Sequence, residues 1–129
     1  MLTFFCPDCW SDSTEDSPVC PRCGAEIQSW KSKDFLEKLI IALGHTEPST
    51  PIRAARILGE LGGQRAVRAL ADALPESRVV FLTVEIIRAL GRARAEGARP
   101  QLEAMLEHPS GWVRREAEAA LSRLQAAQH

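Results

Sequence analysis

The segment VVFLTVEIIRALG, residues 79–91, carries the pattern that decides the fold of this chain. It closes with Leu90 and Gly91. Leu58 and Gly59 lie 32 residues earlier, and Leu121 and Ser122 lie 31 residues later. Self-similarity at a period of roughly 20 to 50 residues is typical of a solenoid built from one repeated supersecondary unit. The segment therefore predicts a repeat protein.

Two more leucine columns keep the same interval and show what each unit contains. The columns are Leu39, Leu70 and Leu102, and Leu43, Leu74 and Leu106. They fall in first helices that place apolar residues at i, i+3, i+4 and i+7, which defines one buried stripe. These helices are DFLEKLIIAL (34–43), AVRALADAL (66–74) and PQLEAML (100–106).

The second helices of the units are rich in alanine, as expected where neighbouring helices approach closely. They are PIRAARILGELG (51–62), the opening segment (79–91) and WVRREAEAALSRL (112–124). The units are expected at approximately 34–62, 66–94 and 98–125. Three units are near the minimum that stacks into a stable core.

The connections inside the units are turn-rich and suggest where the second helices begin. Thr50 is expected as N-cap with Pro51 at the first helical position, and Ser110 as N-cap of the third unit's second helix. His45 and His108 lie in the preceding turns. We expect both histidines to be turn or helix-dipole residues rather than ligands, because no cysteine or acid cluster accompanies them at metal spacing.

The stretch HPSGWVRREAEAALSRL, residues 108–124, resembles a HEAT repeat of the short bacterial type first associated with phycobilisome lyases. The resemblance implies a mainly α fold, a three-repeat helical-hairpin (HEAT-like) α-solenoid. The matching positions are Pro109, Val113, Arg114, Ala117, Ala120 and Leu121.

The family resemblance also implies a structural role for Arg114, which would bond loop groups between successive repeats. Thr83 and Pro51 occupy its column in the other units, so this inference holds for one repeat only. Lyase members of the family attach bilins to phycobiliproteins. This chain is much shorter and shows no separate site, so the resemblance leaves at most a lyase-related accessory role.

All four cysteines lie in FFCPDCWSDSTEDSPVCPRCGAEI, residues 4–27. The chain reads Cys6-x2-Cys9, a polar loop, then Cys20-x2-Cys23. Two such pairs complete a tetrahedral shell of four sulfurs. The segment resembles a zinc ribbon of the CPxC…CPxCG kind, and we expect structural Zn²⁺ there. The pattern also resembles rubredoxin-type modules that hold iron, and thiol–disulfide chemistry stays open as a third possibility.

The cysteine cluster also divides the chain into two expected parts. A metal-binding segment of about 25 residues cannot bury enough apolar surface to fold alone, so the metal would supply its folding free energy. We expect this segment at 1–30 and the helical repeats at 31–129. The segment is expected to cover the open end of the first repeat with the apolar residues Phe4, Phe5, Trp10, Ile27 and Trp30.

Charge and hydropathy restrict the compartment and the partner class. The net charge is −1, with five acidic and one basic residue in 1–30 (−4) and twelve acidic and fifteen basic residues in 31–129 (+3). No global field draws such a chain toward nucleic acid or anionic lipid. The sequence shows no signal-peptide pattern and no apolar run of membrane-spanning length, which predicts a soluble cytoplasmic protein. In that reducing setting, clustered cysteines favour metal binding.

The exposed columns of the second helices are the candidate partner-binding surface, expected on the concave face of the solenoid. A solvated charged face is the alternative, because the outer side of any amphipathic helix has this composition. The candidates are Arg53, Arg56, Glu60, Glu85, Arg88, Arg92, Glu116 and Arg123, with Ala119 completing the column of Arg56 and Arg88.

We find no glycine-rich phosphate loop, nucleophile elbow or acid pair with an accompanying histidine, so no catalytic residue is predicted. The sequence therefore favours a non-enzymatic adaptor that binds a protein partner. A nucleic-acid-binding adaptor is the alternative, since several arginines are close in sequence. The pI near 6.3 and the acidic N-terminal segment oppose it. Electron transfer through an iron-loaded site is a third hypothesis.

Overall fold

The computed structural model describes residues 4–6, 9, 12–13, 19–24 and 34–126 of the chain. Two short strands, β1 (Phe4–Phe5) and β2 (Asp12–Ser13), pair antiparallel, with Phe4 opposite Ser13. The expected mainly helical chain is confirmed. Its helices are α1 (Phe35–Ala42), α2 (Ser49–Leu61), α3 (Gln64–Ala73), α4 (Val80–Arg92), α5 (Arg99–Ala104) and α6 (Gly111–Ala126), with 3₁₀ turns Glu96–Ala98 and Met105–Glu107 on either side of α5.

The helices lie in two layers. In one layer α4 packs against both α2 and α6, and in the other α1 packs on α2, α3 on α2 and α4, and α5 on α6. Arg56 on α2 reaches Glu85 on α4, and one turn further along both helices Gly59 meets Ala89. Both contacts advance in the same direction, so α2 and α4 run parallel.

The same pair of contacts joins α4 to α6, one unit later. Arg88 reaches Glu116, and Gly91 meets Ala120 one turn on. The helices α2, α4 and α6 therefore form a parallel row in which the two junctions have equivalent contacts.

Small residues set the distance between helices in this row. A Cβ atom added at Gly59 would lie 2.6 Å from Ala89 Cβ, and one added at Gly91 would lie 3.1 Å from Ala120 Cβ. These contacts confirm that alanine and glycine occur where the second helices approach closely. Ser122, the third member of this column, is exposed, and no described helix packs beyond α6.

The leucine columns contribute many of the large side chains of the core, as the spacing predicts. Leu58, Leu70, Leu90 and Leu102 are completely buried, and the other members are buried or partly buried. Ile86 and Ile87 of α4 are also completely buried, because α4 packs against helices of both layers.

Helix α6 begins as the sequence predicts, and α2 does not. The Val113 N–H donates to Ser110 Oγ at 3.4 Å, so Ser110 caps α6. The prediction of Thr50 as N-cap is wrong, because α2 already begins at Ser49. The Glu47 carboxylate accepts from the Ser49 N–H (3.1 Å), the Ser49 hydroxyl and the Thr50 hydroxyl. A carboxylate meets more donors here than a threonine hydroxyl would, and the positive end of the helix dipole favours it.

Both histidines are turn residues, as predicted. The Glu47 N–H donates to His45 Nδ1 at 2.9 Å, and the Ser110 N–H donates to His108 Nδ1 at 3.0 Å. The equivalent residue of the middle unit, Ser77, donates instead to the Val79 carbonyl at 3.2 Å. Each of these side chains bonds the backbone two residues later and so holds the same turn.

Arg114 has the loop-bonding role that the family resemblance implies, with one difference. Its Nη1 donates to the carbonyl oxygens of His108 (2.6 Å) and Pro109 (3.0 Å), which belong to the loop of the same unit rather than to a junction between units. Thr83 stands in the same column, and its hydroxyl donates to the Val79 carbonyl at 3.1 Å. Two different residue types therefore hold equivalent loops.

The expected boundary near residue 31 and the covering role of the N-terminal segment stay predictions. Trp10, Ile27 and Trp30 lie outside the described residues. None of the helices in the described part of the chain combines the length and the apolar character needed to cross a lipid bilayer.

The first prediction tests the close approach of α2 to α4. Gly59→Ala should lower the free energy of unfolding by about 1–3 kcal/mol or more, because its methyl group overlaps both Cα and Cβ of Ala89. Gly97→Ala is the matched control, since nothing lies within 4 Å of its added Cβ. The control should be neutral or slightly stabilising in urea denaturation. Equal effects of the two substitutions would contradict the packing described here.

The second prediction concerns the cap of α2. Hydrogen bonds from Ser49, first from its side chain and then from its backbone, lower the pKa of Glu47 from 4.5 to about 2. A lowered pKa adds stability that is complete above pH 4.5 and is lost as the pH falls through about 2. The wild type should therefore exceed Glu47→Gln in unfolding free energy at pH 7, and the difference should vanish near pH 2.

Urea denaturation across this pH range measures the difference. Glu76→Gln is the control, because the Glu76 carboxylate, exposed in the loop after α3, has no hydrogen bond with any described residue. A pH-independent difference between wild type and Glu47→Gln would show that the carboxylate does not cap α2.

Candidate metal centre and charged helical face

The four cysteines come together in space. Their Sγ atoms all lie within 4.8 Å of one another, and the Cys6–Cys23 and Cys9–Cys20 sulfur pairs are each 3.7 Å apart. Cys6 and Cys20 are 3% exposed, whereas Cys9 and Cys23 are exposed. The arrangement predicted from the paired spacing is therefore present, and these residues can bind a metal ion.

Backbone geometry around Cys20 explains how one short stretch presents two sulfurs. The Arg22 and Cys23 N–H groups point at Cys20 Sγ at 3.4 and 3.5 Å, and the Gly24 N–H donates to the Cys20 carbonyl at 3.0 Å. Gly24 has a positive φ, a conformation that favours glycine. N–H groups directed at a sulfur stabilise its negative charge, which suits a thiolate ligand.

The distances between sulfurs fit a tetrahedral metal site. Four sulfurs at about 2.3 Å from a central zinc ion lie about 3.8 Å from each other. Two of the observed separations are 3.7 Å. Four thiolates this close would repel each other strongly without a cation between them. The donor set therefore fits a divalent ion, and the geometry alone admits zinc or iron.

None of the four cysteines forms a disulfide in this structure. Redox-active CxxC motifs open a helix, whereas Pro21–Cys23 forms a turn in this structure.

The second feature is a row of charged residues along α2, α4 and α6, which we call the α2/α4/α6 face. Arg56 Nε lies 3.3 Å from Glu85 Oε1, and Arg88 Nη2 lies 2.8 Å from Glu116 Oε1. The Arg88 hydrogen bond is the main cause of a lowered Glu116 pKa. The face comprises the eight residues predicted as candidates: Arg53, Arg56, Glu60, Glu85, Arg88, Arg92, Glu116 and Arg123.

Glu85 differs from the expectation of a fully exposed face. It is 7% exposed, and Arg92 also approaches its Oε1 at 3.4 Å. Burying a carboxylate is costly unless it is paired, and Arg56 and Arg92 supply that pairing for Glu85. Its expected exposure is therefore wrong, because α4 lies between two neighbours in the row.

The column pattern changes at the two ends of the row. Arg53 stands where Glu85 and Glu116 stand, and Ala119 stands where Arg56 and Arg88 stand. Among the described residues, no helix packs before α2 or beyond α6 in this row. In this pattern an ion pair at Arg53 would need a helix before α2, and an ion pair at position 119 would need a helix beyond α6.

The eight candidates thus divide into two groups. Five of them form ion pairs that link the helices of the row or support the buried carboxylate: Arg56, Glu85, Arg88, Arg92 and Glu116. The other three, Arg53, Glu60 and Arg123, have no ion pair with any described residue.

A groove of about 230 Å³ lies between α4 and α6 on this face. Its lining combines charged side chains with small residues: Arg88, Gly91, Arg92, Glu116, Ala119, Ala120 and Arg123.

An aromatic contact near this face was not predicted. Phe81 and Trp112 meet edge to face with ring centroids 5.4 Å apart, and Arg88 lies 6.0 Å from the Trp112 ring. Trp112 Nε1 also donates to Glu116 at 3.3 Å. The interval between Phe81 and Trp112 is the same period that located the leucines, so this signal was present in the sequence.

Comparisons with models of known protein families and with curated proteins found no match for this chain. The resemblance to HEAT repeats and to zinc ribbons therefore depends on the residues quoted for it.

The third prediction tests the metal centre. The purified protein should hold one metal ion per chain, and Cys20→Ser should lose it, because the site then has three sulfurs. The lost sulfur is also the one that two N–H groups stabilise. Elemental analysis after removal of loosely bound metal measures the stoichiometry. Ser122→Cys, which adds an exposed thiol on α6, is the control and should leave the stoichiometry unchanged.

Circular dichroism of Cys20→Ser also tests the predicted boundary near residue 31. The helical signal should persist, because the described core of α1–α6 contains none of the cysteines. Full metal content in Cys20→Ser would exclude the four-thiolate site, and a complete loss of helix would exclude the boundary.

Proposed function

We propose that this protein is a non-enzymatic interaction module, in which a zinc-stapled N-terminal segment joins a HEAT-like helical-repeat scaffold that binds a protein partner along the α2/α4/α6 face. The observation that carries this proposal is the repeated ion pair between neighbouring helices, Arg56 with Glu85 and Arg88 with Glu116. Each pair uses equivalent positions of successive units.

The parallel row of helices supports a solenoid as the scaffold. In a stacked array, each unit contacts the next through the same surface. The contacts of Gly59 with Ala89 and of Gly91 with Ala120 are equivalent in this way. We propose that the row forms the concave face of the array.

Zinc is the proposed metal because a closed shell of four thiolates is typical of structural zinc sites. The cysteines form no disulfide, in keeping with the reducing cytoplasm expected from the sequence. Elemental analysis of protein from its native host decides between the metals. Stoichiometric iron with visible absorbance would replace this part of the proposal with the electron-transfer alternative, because zinc thiolate sites are colourless.

The charges on the face suit a protein partner better than a nucleic acid. The eight residues include five arginines and three glutamates. The inter-helix pairs hold several arginines in place before a partner binds, which reduces the entropy lost on association. Glu60 is exposed in this row and would repel a phosphate backbone, whereas a protein surface can present both signs.

The fourth prediction uses a sign exchange that leaves the net charge unchanged. Arg53→Glu combined with Glu60→Arg reverses two exposed residues of α2 that have no ion pair with any described residue. This variant should lose capture of a specific partner from a lysate of the native host, because each altered charge then meets a like charge. Quantitative affinity purification compares it with the wild type.

The matched control makes the same exchange on the other layer. Arg68→Glu with Asp72→Arg reverses two exposed residues of α3 and should leave capture unchanged. Equal capture by both variants would remove the α2 end of the face from the proposal. Recovery of nucleic acid instead of protein, with a steep dependence on salt, would favour the nucleic-acid adaptor.

A further inference from the structure

The groove between α4 and α6 is bordered on the α6 side by a residue with a short side chain. Ala119 is exposed and lines the groove. In the column of Arg56 and Arg88, Ala119 is the one member without a long side chain. Its methyl group leaves the space beside it open.

The third column of the face gives this groove an excess of positive charge. That column contains Glu60 on α2, Arg92 on α4 and Arg123 on α6. At the α2/α4 junction it therefore contributes one negative and one positive charge, and at the α4/α6 junction it contributes two positive charges. Arg92 shares Glu85 with Arg56. Arg123 has no ion pair with any residue that the structure describes.

A nearby arginine increases the positive field. Arg94 Nη1 donates to the Arg123 carbonyl at 3.2 Å, which brings another guanidinium to the end of α6. The one carboxylate in the groove, Glu116, is already engaged by Arg88 and Trp112, and Arg123 acts on it only at longer range. The guanidinium groups of Arg92 and Arg123 thus keep donors available for an anion.

We propose that this groove binds a carboxylate side chain from an acidic segment of a protein partner, with Arg92 and Arg123 as its donors. The inference rests on the proposed interaction function and adds the chemical class of the partner. The lining residues Gly91, Ala119 and Ala120 have no side chain longer than a methyl group, so the methylene stem of a glutamate can lie over them. Arginine donates to carboxylates in a geometry that matches their two oxygens.

The size and the surroundings of the groove favour a side chain over other anionic ligands. Its volume is about 230 Å³. Small-molecule sites are larger, at roughly 300–1,000 Å³. A nucleic acid would need a continuous line of cations for its phosphates. Glu60 and Glu116 interrupt such a line on either side of Arg92.

The fifth prediction uses a fluorescent Gly/Ser peptide that carries several glutamates and a matched peptide with glutamines. With the full-length metal-bound protein at low salt, fluorescence anisotropy should show binding of the glutamate peptide only. Arg123→Gln should weaken that binding about tenfold, since it removes a charge-assisted hydrogen bond. Arg68→Gln on α3, which removes the same charge elsewhere, should change nothing.

Ala119→Arg separates a specific groove from diffuse attraction. The substitution adds a positive charge but places a long side chain at a residue that lines the groove, so affinity for the glutamate peptide should fall about tenfold or more. A rise in affinity would show diffuse electrostatic attraction and overturn the inference. Tighter binding of an oligonucleotide than of the peptide, lost in Arg123→Gln, would also overturn it.

The two proposals fail separately. If no glutamate peptide binds while the sign exchange on α2 still abolishes partner capture, the acidic-segment inference is wrong and the interaction function stands. If the peptide binds as expected while the α2 exchange has no effect, the interaction is confined to the α4/α6 groove.

Discussion

The rest of the helical structure depends on backbone contact between successive helices of one row. Gly59 lies against Ala89 and Gly91 against Ala120, at distances where an added methyl group would clash or crowd. Such contact fixes the separation and the register of α2, α4 and α6, because small residues leave no side chain to act as a spacer. The buried leucines then fill the space between this row and the other layer.

Ion pairs at each junction hold the same register from the outside. Buried or partly buried ion pairs seldom add much net stability, because desolvation offsets the attraction, but an unpaired partner is costly. A slip of one turn between α2 and α4 would leave Glu85 buried without Arg56. We therefore regard these pairs as devices that specify alignment. Arg53, Glu60 and Arg123 have no ion pair with any described residue, and we propose that they are the charges of this face that contact the partner.

The cysteine-bearing segment follows a different physical logic from the helices. Its described residues provide two very short strands and a turn at Pro21–Cys23. A segment of about 25 residues buries too little apolar surface to offset the entropy lost on ordering the chain, and a metal held by four thiolates would provide the missing free energy. The molecule thus combines a part suited to folding around a metal with a part that folds around leucines.

Much of the architecture was determined by the sequence itself. The spacing of apolar residues predicted the helices and the buried leucines, because that spacing is a local property of a helix face. The paired cysteine spacing likewise identified the four sulfurs that meet, since a tight turn brings each pair together. Ser110 and both histidines were also predictable, because their hydrogen bonds reach only two or three residues along the chain.

Other features were decided only when the helices packed. The sequence predicts Glu85 in an exposed column, yet Glu85 is buried. Its side chain contacts Arg56 on the neighbouring helix α2 and Arg92 two turns later on α4. Thr50 is a residue type typical of N-caps, but the Glu47 carboxylate lies before the helix and accepts hydrogen bonds from the Ser49 N–H and the Thr50 hydroxyl. The groove beside Ala119 exists only as a space between α4 and α6, and no pattern within a single helix contains the distance between two helices.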